Sequence, residues 1–192
     1  MSDGAHVFGP RRSNNGSAQN PLDAAQRQRL LQPTYQNRLR VIGRRMDVGG
    51  YRWLNVMEVD GGMLVRAMNR GQRDFELMEF PDDGFQAMMI EALQTRGDGE
   101  HGFVRSPLAP TGYEDMLRAI GFELDQRIAK MIAIVECRTQ MFVTGMAPQS
   151  NSANTVYTHF DFGLTSDQVQ TVLDTAFKRR RAHGAPTAGA AR

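Results

Sequence analysis

The chain has 192 residues and a mass of 21.5 kDa, with 41% hydrophobic and 23% charged residues, enough to bury a core and too few for two large domains. A single cysteine, Cys137, excludes a disulfide framework or a thiolate zinc cage and makes a reducing, cytoplasmic setting the expectation, while the longest apolar run, Met131 to Val135, is too short to insert in a membrane. The net charge of +2 hides a partition: residues 1–45 carry +6, residues 46–177 carry −9 and residues 178–192 carry +5, so the acidic body would repel polyanions and any nucleic-acid contact belongs to the ends.

Residues 1–20 are rich in Gly, Ser, Asn and Arg and are expected to form a disordered basic tail. Asn20-Pro21 can start a short helix. The next helix is expected to open near Pro33, with Leu31, Tyr35, Leu39, Ile42 and Met46 along one stripe, and to end at Gly49-Gly50. Arg52 to Val59 and Met63 to Met68 read as strands around Asp60-Gly61-Gly62, a hairpin signal because a tight turn needs positive φ at its centre. A third strand, Asp74 to Phe80, leads into a helix from near Pro81 that buries Phe85, Met88, Met89, Ala92 and Leu93.

Residues 98–111 read as a linker, and the same order then recurs. Tyr113, Leu117, Ile120 and Leu124 form a helical stripe, with Thr111 and Glu114 spaced as a capping box. Lys130 to Cys137, Met141 to Met146 and Thr155 to Phe162 are the expected strands, and a helix from Thr165 buries Val169, Val172, Leu173 and Ala176. A shift of 78 residues aligns Tyr35–Met68 with Tyr113–Met146 without a gap. Ten of the 34 positions are identical, among them Tyr35/Tyr113, Arg40/Arg118, Gly43/Gly121, Asp47/Asp125 and Glu58/Glu136; about two would match by chance. The expected fold is therefore α+β: two tandem α-β-β-β-α units, 21–97 and 112–181, each with its own antiparallel three-stranded sheet, followed by a tail over 182–192.

Alternation gives each hairpin two faces. Leu54, Val56, Met63, Val65, Ile132, Ile134, Met141 and Val143 are uniformly aliphatic and belong under the helices. The opposite face mixes Trp53, Asn55, Met57, Leu64, Arg66 and Met68 with Phe142, Thr144 and Met146. Either the two units pack these faces together, or further helices cover them, or they form an interface in which Trp53, Met57, Leu64, Arg66, Met68, Phe142 and Met146 contact a protein partner or a second copy.

The chain has no glycine-rich phosphate loop, nucleophile elbow or metal-spaced His/Cys cluster, so no catalytic residue, metal or cofactor is expected. His159 and Asp161 share a strand face as a polar edge, and Cys137 stands where a small buried residue would. Glu58, Glu136, Arg40 and Arg118 suit structural ion pairs or hydrogen bonds at the sheet rim. The element order resembles that of the double-stranded RNA-binding domain, a family that docks the start of its second helix on phosphates. Here that helix begins with Pro81-Asp82-Asp83-Gly84 or Thr165-Ser166-Asp167, whose acids would repel a duplex. Small α/β secretion-chaperone subunits are similar in the same topological sense. The expected function is that of a non-catalytic interaction, assembly or adaptor subunit; the alternative is nucleic-acid association through Arg11, Arg12, Arg179, Arg180 and Arg181.

Overall fold

The computed structural model describes residues 28–29, 31–69, 71, 73–94, 112–149 and 155–184. The expected N-terminal tail, the helix at Pro21 and the 98–111 linker lie outside these residues.

Helix α1, Tyr35–Gly49, starts two residues later than expected. Thr34, extended at φ −74° and ψ 156°, is its N-cap and accepts from the Asn37 amide, so Pro33 precedes the helix. Leu31 also lies ahead of it and packs against Val41, Phe85 and Met89. Gly50, at φ 65°, closes the helix by returning its N–H to the Asp47 carbonyl. Strands β1, Tyr51–Val59, and β2, Gly62–Asn69, follow around Gly61 at φ 77°, then β3, Phe75–Pro81, and helix α2, Phe85–Gln94. The second half comprises helix α3, Gly112–Arg127, strands β4, Lys130–Glu136, β5, Met141–Pro148, and β6, Tyr157–Leu164, and helix α4, Ser166–Gly184. Helix α4 thus carries residues 182–184, which composition assigned to the tail.

The fold is mixed α+β, but it has one six-stranded antiparallel sheet in the order β3-β2-β1-β4-β5-β6 instead of two three-stranded ones. A separate three-stranded sheet would leave β1 and β4 as bare apolar edges. They satisfy each other through Asn55↔Val135, Val56↔Ile134 and Met57↔Ala133. The Trp53 faces therefore lie side by side in one sheet and are not packed against each other.

Helices α1 and α3 cover the aliphatic face, where Leu39, Ile42, Met46, Leu117, Ile120 and Leu124 meet Leu54, Val56, Val65, Ile132, Ile134 and Val143 in one buried cluster. Phe85 and Met89 of α2 and Val169, Leu173 and Ala176 of α4 are buried, Met88 and Val172 partly so, and the side chains of Ala92 and Leu93 lie outside the description. The two long helices touch at backbone distance. A Cβ on Gly43 would stand 2.4 Å from the Tyr113 carbonyl oxygen, and one on Gly121 2.5 Å from that of Tyr35.

Candidate functional site

The sheet face away from α1 and α3 is open among the described residues. Two rows cross all six strands. The first runs Leu77, Arg66, Asn55, Val135, Phe142, Gly163, and the second Glu79, Leu64, Met57, Ala133, Thr144, Asp161. Leu77, Val135, Phe142, Leu64, Met57 and Ala133 alternate there with Arg66, Asn55, Glu79, Thr144 and Asp161, and large apolar side chains are exposed on the face. Trp53 is 46% exposed, Met57 51%, Leu77 65% and Met131 76%, with Val59, Phe75 and Val135 also exposed. Of the residues expected at an interface, Trp53, Met57 and Arg66 are exposed, and Leu64, Met68, Phe142 and Met146 are half-buried by neighbours in the sheet. Register puts these seven on one continuous surface. Phe75 and Leu77 belong to it too and were missed; their spacing of two in the edge strand was the available signal.

Backbone irregularity shapes the face. Between Arg52 and Asn55 the β1–β2 register slips, and between Lys130 and Ala133 the β4–β5 register does the same. The bulged residues Trp53 and Met131 take left-handed φ values of 58° and 52°, unusual for large side chains. Trp53 then lines a shallow depression of about 430 Å³ with Asn55, Met68, Phe75 and Val135. The Arg66 guanidinium sits 4.2 Å from the centre of the Phe75 ring, a cation–π contact at the depression's edge. In the second half Lys130 stands 4.9 Å from the Tyr157 ring centre.

The bulges also free the amides of Leu54 and Ile132, and these hold the halves together. The Leu54 N–H donates to Glu136 at 2.8 Å and the Ile132 N–H to Glu58 at 3.2 Å; Tyr113 and Tyr35 donate their phenols to the same two carboxylates. Burial and the Glu58 carboxylate push the Tyr35 phenol well above its ordinary range. Glu58 and Glu136 therefore flank the central seam, not the rim as expected. Arg40 lies 2.8 Å from Glu114 within the buried helix pair, and it is Arg38 that approaches Glu58, at 3.9 Å.

A second exchange caps the helices. Asp47, near the end of α1, accepts the Tyr113 and Glu114 amides at 2.8 Å each, and Asp125, near the end of α3, accepts those of Tyr35 and Gln36 at 2.9 and 3.0 Å. Each carboxylate sits at the positive start of the other helix. Thr111 of the expected capping box lies outside the described residues; of its partner Glu114, the amide goes to Asp47 and the side chain to Arg40. Burial pushes the Asp47 carboxyl up to about 6 despite its two amide donors.

Elsewhere, the described residues hold no group of three or more His, Cys, Asp or Glu side chains that could bind a metal ion. His159 and Asp161 are exposed on β6, and Cys137 is half-exposed, not buried, with its thiol 3.8 Å from the Val135 carbonyl. A cleft of about 370 Å³ between α1, β3 and α2 has an apolar floor of Val41, Val48, Met78 and Met88, and charged groups of both signs stand around it. Arg179 is exposed on α4, where it bonds Gln126 and lies 5.8 Å from the Phe122 ring centre; Arg11 and Arg12 and the side chains of Arg180 and Arg181 are outside the description. No described helix is long and apolar enough to cross a membrane. No family model, curated protein or solved structure matches the chain.

Proposed function

We propose that the chain is a duplicated α-β-β-β-α unit fused into an internal dimer, and that it works as a non-catalytic interaction, assembly or adaptor subunit through the outer face of its sheet. The observation that carries the functional reading is the open face itself: six strands wide, with Met57, Leu77, Met131 and Val135 exposed among a few charged and polar groups, and anchored by a half-exposed tryptophan. A surface of this extent has a strong free-energy reason to be covered. Trp, Met, Phe and Arg are the side chains that anchor protein interfaces, and methionine adapts to irregular partners. The duplication is supported by the matched caps, matched seam carboxylates and matched bulges, each pair 78 residues apart. A reducing, cytoplasmic setting fits the lone cysteine.

The test separates the two sheet faces. Trp53→Ala should weaken association by roughly 2 kcal/mol or more if Trp53 is a central anchor, with little change in melting temperature. Val56→Asp should unfold the chain, because Val56 is 1% exposed at the middle of the seam and an aspartate there has no counter-charge. Association intact in Trp53→Ala together with a lowered melting temperature would make the Trp53 side an internal packing surface and end this reading.

A further inference from the structure

We propose that the occupant of the outer sheet face is a second copy of this chain, packed sheet on sheet about a two-fold axis that lies in the interface and runs across the strands. This rests on the reading of that face as a docking surface and names its partner.

Size is the first argument. Six strands at about 4.8 Å spacing and seven residues at about 3.3 Å rise give a flat footprint of roughly 650 Å². Pleating and side-chain relief raise that toward the roughly 800 Å² per partner of a stable interface. A single helix or one extended peptide would leave most of the two rows in water, whereas another sheet of the same width covers them all. Two sheets facing each other across an apolar layer are a common packing mode, with strands aligned to within about 30°.

Charge is the second, and it selects the orientation. The first row carries Arg66, and the second carries Glu79 on the neighbouring strand, with Asp161 at the far edge. A two-fold axis running across the strands between the rows lays the first row of one copy over the second row of the other and keeps each strand over its equivalent. Arg66 then falls over Leu64 of the other copy, one strand spacing from its Glu79, and the symmetry makes that contact twice. Both Arg66 and Lys130 lie against an aromatic ring of their own half, but Lys130 is on β4, three strands from β3 and Glu79 on one side and two from β6 and Asp161 on the other, whereas Arg66 is on the strand next to Glu79. A two-fold axis along the strands would instead place the edge of β3 over that of β6 and bring Glu79 against Asp161, two acids in one row.

The test uses the full chain and follows mass by sedimentation equilibrium across the micromolar range. The wild type should dimerise. Arg66→Glu alone sets two acids against each other at both contacts, and Glu79→Arg alone sets two bases, so each should raise the dimer dissociation constant about tenfold or more. Both residues are exposed, so melting temperatures should stay near wild type. Mixing the two variants should restore a dimer of one copy of each, because each contact in that pair again joins opposite charges. A wild type that stays monomeric, a dimer indifferent to both substitutions, or a mixture that does not recover would overturn the inference. If the wild type is monomeric and Trp53→Ala abolishes binding to a different protein, the docking surface stands and only the identity of its occupant is wrong. If Trp53→Ala changes no association of any kind, both readings fail.

Discussion

Replacing Gly43 by alanine tests the helix contact on which the whole arrangement depends. The added Cβ would meet the Tyr113 carbonyl oxygen at 2.4 Å and the Glu114 Cα at 2.7 Å, against about 3.4 Å for ordinary contact. All the nearest atoms are backbone, so no side chain can swing away, and α1 and α3 must separate by close to 1 Å. That separation stretches the 2.8 Å bonds from the Tyr113 and Glu114 amides to Asp47, one helical turn further on. Overpacking costs about 1–3 kcal/mol and weakened pairing of a buried carboxylate about 1–3 more. Alanine's better helix propensity returns about 1 kcal/mol. The expected net loss is about 3 kcal/mol, or about 6–12 °C in melting temperature for a chain of this size. Gly121→Ala should match it, since its Cβ meets Tyr35 and Gln36 backbone at 2.5 Å. Gly84→Ala, whose nearest neighbours stand at 3.4 Å or beyond, is the control and should be nearly neutral. Urea and thermal melts decide the matter. Stabilisation by Gly43→Ala would mean that only intrinsic propensity is felt and that the helices are not in backbone contact.

Asp47 should make stability depend on pH in an unusual direction. Its folded carboxyl titrates at about 6, above the ordinary carboxylate value, so its contribution is fully present below about pH 4 and is lost as pH rises through 6. The stability of the wild type relative to Asp47→Asn, from urea melts at pH 4 to 7, should fall by up to about 3 kcal/mol across that interval; a pH-independent difference would refute the assignment. Glu136→Ala strands the Leu54 amide and the Tyr113 phenol together and should cost about 2–4 kcal/mol, whereas Glu136→Gln keeps an acceptor and should recover at least half of that in thermal melts. Equal losses in the two variants would show that the carboxylate's charge, and not its acceptor geometry, holds the seam.

Side-chain alternation was enough to separate the Val56 face from the Trp53 face, because burial on one side of a strand imposes a period of two. The turn at Gly61 was readable for a local reason, its positive φ. Pairing of β1 with β4 was not readable, since it joins residues about 80 positions apart and depends on which apolar edges are left bare. Nor were the bulges, because tryptophan and methionine are poor signals for left-handed backbone. The chemistry of the helix caps was hidden for the same long-range reason: Asp47 serves amides 66 and 67 positions away. Yet Tyr35, Gly43, Asp47 and Glu58 and their identical counterparts 78 residues on are all among the residues that touch or bond across the halves. What could be seen was where identity concentrates, and what could not be seen was the contact that each identical pair makes.

The central seam has a mechanical consequence. β1 and β4 share only three residue pairs, whereas β1 and β2 share seven. At either end of that short ladder a carboxylate on a rotatable side chain takes over from rigid backbone pairing. Load across the middle of the sheet is therefore carried less by the backbone ladder than by those two carboxylates together with the glycine contact between the helices on the far side of the core, so that parting the halves means breaking side-chain bonds and helix packing at once.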